Sequence, residues 1–176
     1  SIVLLQLQAI RPRKRHVLLG APTVNVGVIS GGTRVKTVPE RCTITVDRRL
    51  IPGETTRHAR EEVSTELKRL RTTVPRLEYA IRDILTAEPF EQSPRDPFVQ
   101  QVLRTTRRVT GRDARLLGMQ GFTDARHLHP GRKCAAVILG PGSISQAHVA
   151  NEHISRKELL DAVQVYAQLI ENVLTR

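Results

Sequence analysis

Three prolines fall within the ten residues EPFEQSPRDP, Glu88–Pro97. Proline has no backbone N–H and pushes the residue before it out of the helical region, so neither a helix nor an interior strand runs through this stretch. It divides the 176-residue chain near its middle, into an expected first domain at 1–87 and a second at 88–176. A chain of this size buries roughly two-thirds of its unfolded surface, enough for a core. With no Trp, three Phe and two Tyr, that core must be built from Val, Leu and Ile.

Before the break, Ile2 to Ile10 has helical patterning and Pro12 ends it. TVNVGVISGG, Thr23 to Gly32, is a β-branched run stopping at a glycine pair. RCTITVDRRLIPGE, Arg41 to Glu54, alternates Cys42, Ile44 and Val46 with Thr43, Thr45 and Asp47. The two runs are expected to pair antiparallel, with Val38-Pro39 as an extended corner between them. An amphipathic helix follows, capped by Thr55 or Thr56, with Ala59, Val63, Leu67 and Leu70 on its apolar face. A strand from Arg76 to about Ala87 completes the order β-β-α-β, a β-α-β-β-α-β unit without its first strand.

Beyond the break, the pattern predicts a helix at about Asp96–Thr110, a short strand near Arg115–Gly118 and a buried strand at Cys134–Leu139. The closing helix is expected at Arg156–Leu174, with Ser155 and Glu158 as a capping box. The fold class is therefore α/β, with a small α+β domain of ferredoxin-like order ahead of an α/β layer.

The net charge of +11 invites a nucleic-acid reading. Arginines are spread along the whole chain, however, and the one basic run, Arg11 to Arg15, has no aromatic residues interleaved to stack bases. A solvated basic surface is the expectation, with no nucleic-acid partner. The opening apolar stretch SIVLLQLQAI is about half the ~20 residues that cross a bilayer, so no membrane association is expected. Cys42 and Cys134 form neither a disulfide framework nor a C-x-x-C motif, which fits a reducing, cytoplasmic setting.

Few local patterns carry chemistry alone. Glu61-Glu62 lies mid-helix among Arg57, Arg60 and Lys68, as an ion-paired face does. Ser143 and Ser145 lack a G-x-S-x-G elbow. GPGS is either an anion-binding nest or a tight turn. His148 follows an apolar run and a glycine loop, but a zinc site needs three or four protein ligands. Neither His153 nor the pair His127 and His129 stands at a familiar ligand spacing from it.

Taken in order, three segments resemble one family. LLGAPTVNVGVISGGTRVKTVPERCTITVDRRLIPGET, Leu18–Thr55, resembles the lid or dimerisation domain of the co-catalytic zinc amidohydrolases and metallopeptidases, which include acetylornithine deacetylase, succinyl-diaminopimelate desuccinylase, aminoacylase and glutamate carboxypeptidase. GFTDARHL resembles their Thr-Asp-Ala-Arg segment, and GPGSISQAHVANEHI their last metal-binding segment, in wording nearest to the acetylornithine deacetylase branch.

The resemblance implies that His148 is a ligand of one of two zinc, or cobalt, ions. In such a centre the metals lower the pKa of a bound water and polarise the amide carbonyl, while a glutamate moves the proton. It further implies that Thr123 and Arg126 meet the polar end of an N-acyl amino acid or small peptide, Arg126 pairing a carboxylate or, alternatively, Asp124. A homodimer through the lid is implied as well.

This sequence also departs from the family. The family's other metal ligands and its base glutamate belong to a segment ahead of the lid that these 176 residues do not contain, and the lid's first strand with its histidine is absent as well. Lys36 stands where Asn is common and Phe122 where Gly is usual. The expectation is a C-terminal portion of such a hydrolase, inactive alone. The alternative is a non-enzymatic dimerisation or interaction module.

Overall fold

The computed structural model describes residues 2–12, 14–128 and 134–175. The chain mixes α and β structure, with a two-stranded sheet among the described residues. It forms two compact units, one of Ser1–Phe90 with Gly118–Phe122, the other of Glu91–Leu117 with Thr123–Arg176.

In the first unit, α1 (Ile2–Gln8) precedes β1 (Thr23–Gly31) and β2 (Cys42–Arg49), which pair antiparallel from Thr23 opposite Arg49 to Gly31 opposite Cys42. The register shifts between Val26 and Val28, which leaves Gly27 as an extra residue in β1. At the far end of the ladder, a Cβ on Gly31 would lie 2.7 Å from the Arg41 carbonyl oxygen, so only glycine fits there.

Helix α2 (Thr56–Thr73) starts at Thr55, whose hydroxyl accepts the His58 N–H, as the capping preference dictates. The Glu88 carboxylate accepts the Thr56 N–H at 3.0 Å, satisfying another amide of the first turn. The helix buries Ala59, Leu67 and Leu70. Leu67 and Leu70 join Leu7 in a core that Val26, Ile44, Val46 and Val63 complete.

The alternation that turns Ile44 and Val46 toward this core turns Arg48 the same way. Its side chain is only 9% exposed, and its guanidinium pairs with Glu54 at 2.8 Å and Glu62 at 2.9 Å. Glu54 also accepts the Ile51 N–H at 3.1 Å. Burial alone would lower the Arg48 pKa, but hydrogen bonds and charge attraction from the two carboxylates outweigh it and raise the value. Glu61 pairs with Arg57 at 3.9 Å, so the expected ion-paired face is present, with Glu62 turned to the sheet.

In the second unit, α3 (Pro97–Thr110) is capped by Asp96, whose carboxylate accepts the Phe98 N–H at 2.8 Å. It ends at Gly111 in the left-handed conformation. Helix α5 (Arg156–Leu174) packs on it through Val165 and Leu169 against Val102, with Val137 and Leu139 alongside. The capping box does not form. Ser155 makes no side-chain cap hydrogen bond, and Glu158 instead lies 3.9 Å from Arg112.

Three expected strands need correction. Arg76–Ala87, Arg115–Gly118 and Cys134–Leu139 lie in no ladder. Leu77, Tyr79 and Ile81, at strand spacing, do pack on the first core, and Val137 and Leu139 on the second. Their side chains found an apolar surface while their backbones found no strand partner. The expectation of a buried strand at Cys134 fails at its first residue, since that cysteine is exposed, as is Cys42.

Candidate functional site

The loop from Gly140 to Ser155 begins with a tight turn at Gly142, φ +81°. Ser143 follows, and its hydroxyl accepts the Ser145 N–H and lies 2.9 Å from the Ser145 hydroxyl, so both serines serve a single 3-10 turn, Ile144–Gln146. Neither is set up as a nucleophile. The chain then enters His148 at φ +64°, the one non-glycine residue with positive φ among the described residues. Its side chain lies in an exposed position. The His148 backbone N–H donates to the Glu152 carboxylate at 2.9 Å, and the turn closes through Glu152 N–H to Val149 O at 3.2 Å. His153 is held apart, its Nδ1 2.7 Å from the Asn151 carbonyl oxygen.

The second candidate segment folds locally. Thr123 precedes α4 (Ala125–Leu128), and the Arg126 guanidinium donates to the Thr123 carbonyl at 3.2 Å. Arg126 also lies 3.8 Å from Asp124, whose side chain is almost fully exposed. The structure therefore brings Thr123 and Arg126 together on one short turn, with His148 on a separate loop of the same unit. His129 lies outside the described residues.

A groove of about 200 Å³, between the end of α3, the start of α5 and the loop after Leu139, includes none of these three residues. Its rim carries Arg112, Asp113, Glu158 and Asp161, and the Tyr166 hydroxyl beside it donates to the Leu139 carbonyl at 2.7 Å. Periodicity could not show this groove, because it is enclosed by segments distant in sequence.

Among the described residues, no three His, Cys, Asp or Glu side chains assemble into a group able to hold a metal ion. His148 is one donor, and a zinc centre takes three or four.

The family model described as Peptidase family M20/M25/M40 matches residues 5–172. The chain belongs to this family of metal-dependent hydrolases. The acetylornithine deacetylase of Photorhabdus laumondii is 28% identical over 152 residues, covering 86% of this chain and 37% of that protein. That of Myxococcus xanthus is 27% identical over 148 residues, covering 84% and 37%. A protein of Aspergillus clavatus named a probable carboxypeptidase is 32% identical over 161 residues, 89% of this chain and 35% of that protein.

The crystal structure of the M20 family metallo-carboxypeptidase Sso-CP2 from Sulfolobus solfataricus shares the fold, with a TM-score of 0.64 at 21% identity over 86% of this chain and 35% of that one. The chain thus spans a little over a third of the length of these relatives.

Proposed function

We propose that these 176 residues form the lid and final catalytic segment of an M20 amide hydrolase of the acetylornithine deacetylase type. His148 contributes one metal ligand, and Thr123 with Arg126 receives the polar end of the substrate. The observation that carries this reading is the family match over 5–172, within which the GPGSISQAHVANEHI loop presents an exposed histidine on a left-handed backbone. The substrate class is an N-acyl amino acid or small peptide, and the metal is zinc or cobalt. A substrate carboxylate would draw Arg126 from Asp124, which is exposed and loses little when left to water.

The remaining ligands and the base glutamate come from outside these residues, so the chain alone does not turn over substrate. Residues 1–87 act as the lid, of ferredoxin-like order with its first strand supplied from elsewhere, and 88–176 belong to the catalytic layer. The lid pairs two copies through a β-edge, since β1 and β2 bond only to each other among the described residues. No described helix is long and apolar enough to cross a membrane. Two free, exposed thiols suit a reducing compartment, and the proposal places the chain in the cytoplasm.

The test is a chimera in which residues 5–172 replace the matched segment of the Photorhabdus deacetylase. Two zinc ions per chain and hydrolysis of N-acetylornithine are expected, with His148→Ala losing both the activity and part of the zinc. Full zinc retention in the alanine variant would remove His148 from the metal centre.

A second reading, a non-enzymatic interaction module, is favoured by α5. Leu159, Val163, Tyr166, Ile170 and Val173 are exposed along it at helical spacing. Size-exclusion chromatography of Val163→Glu with Ile170→Lys separates the two: a dimer lost in this variant supports the module, and a dimer that survives it is the lid pair of the first reading.

A further inference from the structure

A left-handed backbone is costly for any residue with a Cβ, and it persists where surrounding contacts hold it. At His148 one such contact is a side chain. The turn Val149–Glu152 folds the chain back so that the Glu152 carboxylate meets the His148 N–H at 2.9 Å.

We infer that Glu152 is the positioning residue of this loop: by accepting the His148 amide it holds His148 left-handed and so sets the direction of the imidazole. The hydrogen bond closes a ring from the His148 amide through the backbone to the Glu152 side chain, so turning His148 about N–Cα would open it; the ring restrains φ, and φ sets the Cα–Cβ direction. The carboxylate is charged, which makes this hydrogen bond stronger than a neutral one. The turn ahead of it, Gln146 N–H to Ser143 O at 2.9 Å and Ala147 N–H to Ile144 O at 3.1 Å, delivers the chain to His148 and has no contact of its own that fixes φ there. That the imidazole has a ligand's task rests on the function proposed above. That Glu152 holds the backbone does not.

Amide hydrogen exchange followed by NMR on the full 176-residue chain tests it. Glu152→Ala is expected to speed exchange at the His148 amide about tenfold, while Glu152→Gln, which keeps a side-chain carbonyl acceptor, restores most of the protection. In a His148→Gly background, glycine takes the positive φ without strain. There Glu152→Ala should leave the Gln146 and Ala147 amides as they are in His148→Gly alone, whereas in the His148 background it should loosen them.

Glu152 is exposed, so neither substitution removes core contacts, and the Val165 and Leu169 amides of α5 report an intact fold. Unchanged exchange at His148 in Glu152→Ala would overturn the inference. So would equal loosening of Gln146 and Ala147 in both backgrounds, which would make Glu152 a general brace of the loop. Zinc stoichiometry decides the ligand role of His148 separately.

Discussion

At the scale of single residues, the largest electrostatic commitment lies away from the candidate site, in Arg48 with Glu54 and Glu62. Truncating Arg48 to Ala leaves two carboxylates facing each other, one of them buried, and is expected to cost about 3–5 kcal/mol in urea unfolding. The Arg48 pKa is raised, so its contribution to stability is complete below the ordinary guanidinium value and is lost only as pH climbs through the raised one. Between neutral and mildly alkaline pH the arginine therefore adds no slope to the stability of wild type, a flatness that melts at successive pH values can check. The sequence showed that Glu62 would be ion-paired but not with what. Its helical neighbours were visible, whereas Arg48 arrives from β2 because Ile44, Val46 and Arg48 share one side of a strand. His148 was legible only through the wording of its segment, and Glu152 not at all. No local rule assigns a carboxylate to the amide of a left-handed residue four positions back.

Among the elements, the helix starts separate by what their caps bond. Thr55→Ala and Asp96→Ala each remove an observed cap hydrogen bond and should each cost about 1 kcal/mol. Ser155→Ala removes none and should stay within about 0.5 kcal/mol of wild type. Denaturant midpoints for the three variants check this, and a Ser155→Ala loss as large as the others would restore the capping box. Helices α1, α2, α3 and α5 and the β1–β2 pair were legible because their signals are local, such as the apolar spacing on α2 and the glycine pair that ends β1. Strands are defined by a partner, and their own residues do not reveal whether one is present. Leu77, Tyr79 and Ile81 keep the two-residue spacing of a strand and bury accordingly, yet they join no ladder among the described residues.

For the molecule as a whole, the apolar stripe on α5 is the feature with the widest consequence. Leu159, Val163, Tyr166, Ile170 and Val173 are each at least 40% exposed, beside the face that buries Val165 and Leu169. Contiguous exposed apolar surface drives association, so light scattering should show concentration-dependent self-association of the chain, relieved by Val163→Glu with Ile170→Lys. A monodisperse wild-type monomer would contradict this. The same exposure predicts marginal stability, and a cooperative melt at high temperature would count against it. The central claim is that His148 is a single ligand awaiting others. Zinc bound per polypeptide, measured on the purified 176-residue chain after dialysis against a trace of free metal, tests it most directly. The account predicts a value near zero, unchanged in His148→Ala. Close to two zinc ions per chain, lost on His148→Ala, would mean that these residues build a binuclear site by themselves, and would contradict it.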